Sequence, residues 1–252
     1  MRKLDEEILR AYFRYAEYQR QRLWIARLLH PEEFDWKKRG SPPPVTEVKK
    51  LRIEELAKIG FGEVYYQRML EGEKGAEREL CELAEEHPLY PHFQHVSGLG
   101  TALTVGKYVA RGGDITKCPT VSSYWKGLGE DVLPDGTVPR RVRGRKNVER
   151  RIPALPHVTT IGEQIRQQIL RSGKKLRDLY DKHKEDYLVR KPGVQKMYAH
   201  KHGLRIALKI LDACAWKVWR EDYGLPAPDP YAFGILKHDN GSLIRIEDLY
   251  DK

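Results

Sequence analysis

A mainly α-helical fold is what this sequence predicts, and three observations predict it. Apolar residues recur at three- and four-residue steps through long windows, at about 3–29, 62–86, 160–189 and 195–221. Glycine and proline punctuate the chain between those windows, at Gly40-Ser41-Pro42-Pro43-Pro44, His87-Pro88, Lys191-Pro192-Gly193 and Leu225–Pro230. The clearest hairpin signal, Asp135-Gly136 between apolar flanks, asks for no more than a small β-hairpin or loop insertion. With 40% hydrophobic and 10% aromatic residues, the 252-residue chain can bury a core and is not a disordered tail.

The first element is a helix over 3–29, with Leu4, Ile8, Tyr12, Tyr15, Ala16, Leu23 and Leu28 forming its apolar stripe. The proline run at 42–44 is a linker. A helix follows from about Val48 to Ile59, then another from about Gly62 to Glu86, acidic in its second half. Residues 1–88 therefore form a helical or coiled-coil arm suited to dimerisation. From Tyr90 a short apolar segment meets a helix through a Gly-x-Gly turn at Gly98–Gly100. The next long helix spans 160–189, started by a Thr160-x-x-Glu163 capping box, with Ile161, Ile165, Ile169, Leu176, Tyr180 and Tyr187 on its apolar face. The last spans 195–221, with Met197, Leu204, Leu208, Leu211, Ala215 and Val218 inward. Residues 89–224 form the second domain, and 225–252 a proline-rich C-terminal tail.

Charge is the main functional signal. The net charge is +10, and a surplus of that size attracts polyanions. It is unevenly placed. Between Val138 and Arg220 there are 22 Lys/Arg against 7 Asp/Glu, a balance of +15, which leaves −5 for the rest of the chain. Such clustering is the footprint expected of a nucleic-acid binder.

Cys81, Cys118 and Cys214 are far apart and have no CxxC spacing, so they read as free thiols of a reducing compartment. Met1-Arg2-Lys3 is not followed by an apolar run, and no stretch approaches the ~18 apolar residues of a membrane span. The expectation is a cytoplasmic protein, nucleoid-associated if its ligand is DNA, with no membrane partner. The wealth of Lys, Arg, Glu and Tyr is compatible with a thermophilic source.

Three groups of residues are candidates for gripping phosphate. Val96-Ser97-Gly98-Leu99-Gly100, with Thr101 after it, has the hydrophobic-x-Gly-hydrophobic-Gly form of a helix-hairpin-helix. Two glycines let the backbone turn tightly at a helix start, where N–H groups and the helix dipole hold an anion. Lys107 would add a charge, and no base would be read. The same pattern also serves an ordinary tight turn between packed helices. The second group is a loop with seven cations in twelve residues: Arg140, Arg141, Arg143, Arg145, Lys146, Arg150 and Arg151. Arginine forks match phosphate oxygens, although a solvated loop has the same composition. The third is Lys201, Arg205 and Lys209, at steps of four opposite the apolar face of the last helix. Tyr124, Trp125, Trp216 and Trp219 are able to stack on bases, but at helical spacing they fit a core better.

Catalysis has little to stand on. There is no Walker loop, HExxH, nucleophile elbow or metal-ligand cluster in the sequence, and no cofactor is implied. His200 and His202 fall on different sides of a helix, and Asp178/Asp181 and Glu185/Asp186 read as solubilising ion pairs.

The order of parts from about Glu82 to Arg220 resembles the C-terminal Tnp domain of the bridge-RNA-guided insertion-sequence transposases, the family with a DEDD domain and a serine nucleophile. The resembling residues are the acidic helix ending in His87-Pro88, the Val96–Gly100 hairpin, Gly112-Gly113-Asp114-Ile115, and Tyr124-Trp125-Lys126-Gly127-Leu128-Gly129. Asp135-Gly136 with the basic loop, and the closing helix with Ala207 and Ala213-x-x-Trp216, complete the set. The family's ribonuclease-H-like domain has no counterpart in residues 1–60. No serine stands where its nucleophile lies, since that neighbourhood reads Pro134-Asp135-Gly136-Thr137. The resemblance implies a relic that kept the grip on nucleic acid without the cutting machinery.

The expectation is a non-catalytic, largely sequence-nonspecific DNA-binding protein, dimeric through its first helices. Two alternatives stay open: a recombinase subunit that borrows its metal site from a partner chain, and an RNA-binding or ribosome-associated factor.

Overall fold

The computed structural model describes residues 2–29, 61–131, 155–172, 174–228 and 245–251. Among them there are helices and no strand, so the fold is mainly α. The expected helix at 48–59, the proline linker, the Asp135-Gly136 turn and the Arg140–Arg151 loop lie outside the described residues. No helix among the described residues is long and apolar enough to cross a membrane. The chain divides into two compact units, residues 10–81 and residues 1–9 with 82–252.

The smaller unit is built from α1 (Lys3–Leu29) and α2 (Phe61–Glu85). Ala11, Tyr12, Tyr15 and Ile25 are buried on α1, and Met69, Ala76 and Leu80 on α2. Leu23, expected inward, is 36% exposed. The seam is also polar: the Arg22 guanidinium pairs with the buried Glu73, and Gln19 Nε2 donates to Tyr15 Oη at 2.8 Å. Gly72 makes room for the Tyr18 ring, which a Cβ there would meet at 2.5 Å.

The larger unit contains α3 (Tyr90–Phe93), α4 (Ala102–Gly112), a 3-10 turn (Ile115–Lys117), α5 (Val121–Leu128), α6 (Pro156–Ser172), α7 (Lys174–Arg190), α8 (Lys196–Asp222) and a last 3-10 turn (Ile246–Leu249). Its axis is α8. Leu204, Ala207, Leu208, Leu211, Ala215, Trp216 and Trp219 are all buried, and α4 and α6 supply Val105, Tyr108, Ile161, Ile165 and Ile169 opposite them. The tryptophans belong to the core: Trp216 Nε1 donates to the Cys118 carbonyl at 2.9 Å, and Arg220 Nη1 fastens the carbonyls of Ile115 and Cys118 at 3.0 and 3.1 Å. Helices α7 and α8 form a tight pair. Gly203 permits it, because a Cβ there would stand 2.6 Å from the Tyr180 carbonyl oxygen. Asp5 is buried in this unit, where it accepts the Tyr223 hydroxyl and lies 3.4 Å from His87 Nε2.

Three further sequence expectations are corrected. The helix expected at 160 begins at Pro156, and Thr160 Oγ1 donates to the Pro156 carbonyl at 2.9 Å instead of capping. The expected single helix over 160–189 is two helices, α6 and α7, and Lys174 starts the second with φ +63°. Met197, expected inward, is 57% exposed, because Ala199 and Gly203 turn the buried face of α8 away from it. The segment 121–128 is also a helix. Thr120 and Ser123 close a reciprocal capping box at its start, and Gly129 ends it with φ +72°.

Candidate nucleic-acid interface

The hairpin residues come together as a turn between α3 and α4, anchored by the buried Val96 and Leu99. Gly98 has φ +82°, and a Cβ on it would meet Ser172 Oγ of α6 at 2.1 Å. A Cβ on Gly100 would lie 3.1 Å from Gln94 Cα within the turn itself. Both glycines therefore serve close packing. Thr101 caps α4: its Oγ1 accepts the Thr104 N–H at 3.2 Å and bonds the Thr104 hydroxyl at 2.8 Å. Lys107 is half-buried in the second turn of that helix.

The Ser97 N–H, the group the sequence offers to a phosphate, donates to Asp251 Oδ2 at 2.8 Å. The other oxygen of the same carboxylate accepts the Lys175 N–H, in the first turn of α7, at 3.0 Å. Asp251 is held in turn by its own N–H on the His95 carbonyl at 2.8 Å, and its neighbour Tyr250 bonds His92 Nδ1 at 2.6 Å. Burial alone would raise the Asp251 carboxyl. The N–H groups of Lys175 and Ser97 outweigh it and hold the carboxyl below its ordinary value. An anion already sits on this turn, and the chain itself provides it.

The Lys201, Arg205 and Lys209 stripe is not uniform. Lys209 leans inward, with its ammonium 3.9 Å from the Trp125 ring centroid, while Trp125 Nε1 donates to the Lys209 carbonyl at 3.1 Å. Burial and the adjacent Arg205 lower its pKa. Beneath it lies a buried charge network. Arg111 reaches Asp212 with both arms, at 2.6 and 3.2 Å, and Glu130 at 3.3 Å. Tyr108 Oη donates to Asp212 at 2.8 Å, and Arg166 closes the network on Glu130. Gly162 leaves space for Arg111, whose Nε a Cβ would meet at 3.2 Å. Two guanidiniums answer two carboxylates, so this network offers no charge to a ligand.

Lys201 and Arg205 belong to a different neighbourhood, where α7 ends and α8 begins. Lys201 is exposed and Arg205 half-buried. Around them stand Arg190 and Lys191, both exposed. The ring of Tyr187 on α7 lies against His202 on α8, with centroids 4.4 Å apart and planes at 30°. The Lys191 ammonium sits 5.4 Å from the Tyr187 centroid, and Arg205 Nη2 is 3.5 Å from His202 Nδ1. Among the described residues none of Arg190, Lys191, Lys201 and Arg205 pairs with a carboxylate, and Arg205 Nε is buried with no hydrogen-bond partner. Burial, then Arg205, Arg190, His183 and Lys191, push His202 down to about 4, so its ring is neutral at pH 7. Asp186 lies beside the neighbouring His183, where it opposes the lowering by burial.

Of the residues singled out in the sequence, the structure gathers Ser97, Gly98, Gly100 and Thr101 into one turn and brings Lys201 and Arg205 to another place. Lys209 faces the interior side of the same helix, while Arg140, Arg141, Arg143, Arg145, Lys146, Arg150 and Arg151 lie outside the described residues. Sequence reasoning missed Arg190, Lys191, Tyr187 and His202. Their signal was available in the Lys191-Pro192-Gly193 break, which returns the chain within a few residues and so sets the end of one helix beside the start of the next. No protein-family model, curated protein or solved structure matches the chain.

Proposed function

We propose that this protein grips the phosphate backbone of a nucleic acid, DNA first, with little sequence specificity, through the end of the α7–α8 pair. The observation that carries the reading is a set of cations without a paired carboxylate among the described residues: Arg205, Arg190 and Lys191 act together on His202, and the exposed Lys201 precedes it on the same helix. Four like charges repel one another, and folding keeps them together only where something else, here the α7–α8 packing, enforces it. A polyanion relieves that repulsion and supplies the acceptor that the buried Arg205 Nε lacks. The contacts are to phosphate, which fixes position and reads no sequence. The resemblance of residues 82–220 to a transposase Tnp domain supports the same class of ligand. In the conformation described here the hairpin acts as scaffold, since Ser97 is engaged by Asp251.

Fluorescence anisotropy of labelled duplex DNA across a salt series tests this. Four phosphate contacts give a slope of about −3.6 in log affinity against log salt. Replacing Lys191 and Arg205 with Gln should flatten the slope by about 2. A slope near zero in the wild type would sink the reading, and a preference for structured RNA at the same slope would move the ligand from DNA to RNA.

A further inference from the structure

The end of the α7–α8 pair is apolar as well as cationic. Val189, Met197 and Tyr198 are 81%, 57% and 56% exposed, three of the eight large hydrophobic side chains exposed among the described residues, and they fall within ten positions of one another. Tyr198 is the one that matters. It lies in the first turn of α8, with its backbone N–H on the Gln195 carbonyl at 2.9 Å, so its position is fixed by the helix. At spacings of three, four and seven it shares a face with Lys201, His202 and Arg205. An exposed aromatic ring therefore leads directly into the cationic track.

An exposed ring in line with phosphate-binding cations is the arrangement by which proteins hold single strands: bases stack on the aromatic while the cations follow the backbone. A duplex hides its base faces and gives the ring nothing to stack on. The scale agrees. Tyr198 and Arg205 are seven residues apart, ~10 Å along a helix, so the ring and the cations can meet the same short stretch of strand. A lipid surface suits the site less well, because a surface-bound helix separates a continuous apolar face from its polar one, whereas Tyr198 belongs to the cationic face.

We infer that Tyr198 is a base-stacking residue and that the partner of this surface is a single-stranded or unpaired stretch of nucleic acid, with Lys201 and Arg205 holding its phosphates. This rests on the reading proposed above and goes further by naming the strandedness of the ligand.

The test uses the full chain and three probes: an oligothymidylate strand, an abasic strand of the same length, and vesicles containing anionic phosphatidylserine. The abasic strand keeps every phosphate and removes every base face. The wild type should bind the thymidylate strand roughly tenfold more tightly than the abasic one, within the range of a single stacked base. Tyr198→Ala should bring that ratio to about one while leaving abasic binding unchanged, and Tyr198→Trp should preserve the ratio. Tyr198 is exposed, so the thermal midpoint should not move. An unchanged ratio in Tyr198→Ala overturns the inference and leaves the phosphate grip standing. Equal binding of both strands by the wild type does the same. Binding to neither strand overturns this inference and, together with a duplex salt slope near zero, the phosphate grip as well, and vesicle binding that neither strand displaces assigns the surface to a lipid.

Discussion

Two regions of the larger unit are rich in arginine, and they use it in opposite ways. In the Arg111–Asp212–Glu130–Arg166 network every guanidinium meets a carboxylate, and Asp212 is fully buried. At the end of the α7–α8 pair, Arg190, Lys191, Lys201 and Arg205 have no such partner among the described residues. Both regions draw on α8, through Asp212 in one case and Arg205 in the other, seven residues apart. The comparison teaches that a local charge surplus is not a surface property until the interior has taken its share. Arg111, Arg166, Arg177 and Arg220 are engaged by carboxylates or backbone carbonyls, and Lys209 by an indole. Among the described residues the cations left over are fewer than the sequence suggests, and Arg190, Lys191, Lys201 and Arg205 are four of them.

The sharpest way to break the comparison is Asp212→Ala, which leaves Arg111 and the Tyr108 hydroxyl without their partner in the interior. We expect a loss of about 3–5 kcal/mol in chemical denaturation, with the salt slope of nucleic-acid binding unchanged. A slope that moved with Asp212 would mean the two regions are not separate. Gly203→Ala tests the packing that holds the cations together. A methyl directed at the Tyr180 carbonyl should cost about 1–3 kcal/mol, and binding should weaken along with stability. Asp251→Ala removes the carboxylate from Ser97 and Lys175. The group is half-buried, so about 1 kcal/mol is expected. Because its pKa is depressed, that contribution is present above the ordinary carboxylate value and disappears as the pH falls through the lowered one. His202 gives the smallest signal and the clearest sign. Burial and the neighbouring cations push it down to about 4, below the ordinary histidine value of 6.5, so the unfolded chain takes up the proton first. Stability is complete above pH 6.5 and declines from there toward pH 4. His202→Gln should remove that part of the acid sensitivity in a pH series of thermal midpoints.

The long helices were legible because their apolar faces repeat: Ile161, Ile165, Ile169, Leu176 and Tyr180 are all buried as the pattern required. Boundaries were less legible. A Thr-x-x-Glu signature at 160 was outcompeted by the proline at 156, whose fixed φ starts a helix earlier. The cap of α5 was present in Thr120-x-x-Ser123 but lacks the acid or amide that makes the box conspicuous. At the site, Lys201 and Arg205 could be read from spacing. Lys209 could not be told apart from them, because Trp125 lies 84 residues away in sequence. The same holds for Asp251: nothing near Ser97 in the chain announces a carboxylate 154 residues downstream.

That distance has a temporal consequence. A chain growing at about 5–20 residues per second needs on the order of ten seconds to pass from Ser97 to Asp251. Until Asp251 is made, the Ser97 donor has only water or a passing anion to bond. Only Asp251, made 154 residues after Ser97, can close it. A nascent protein is thus chemically different at this turn from the finished one, and the order of synthesis itself decides when the difference ends.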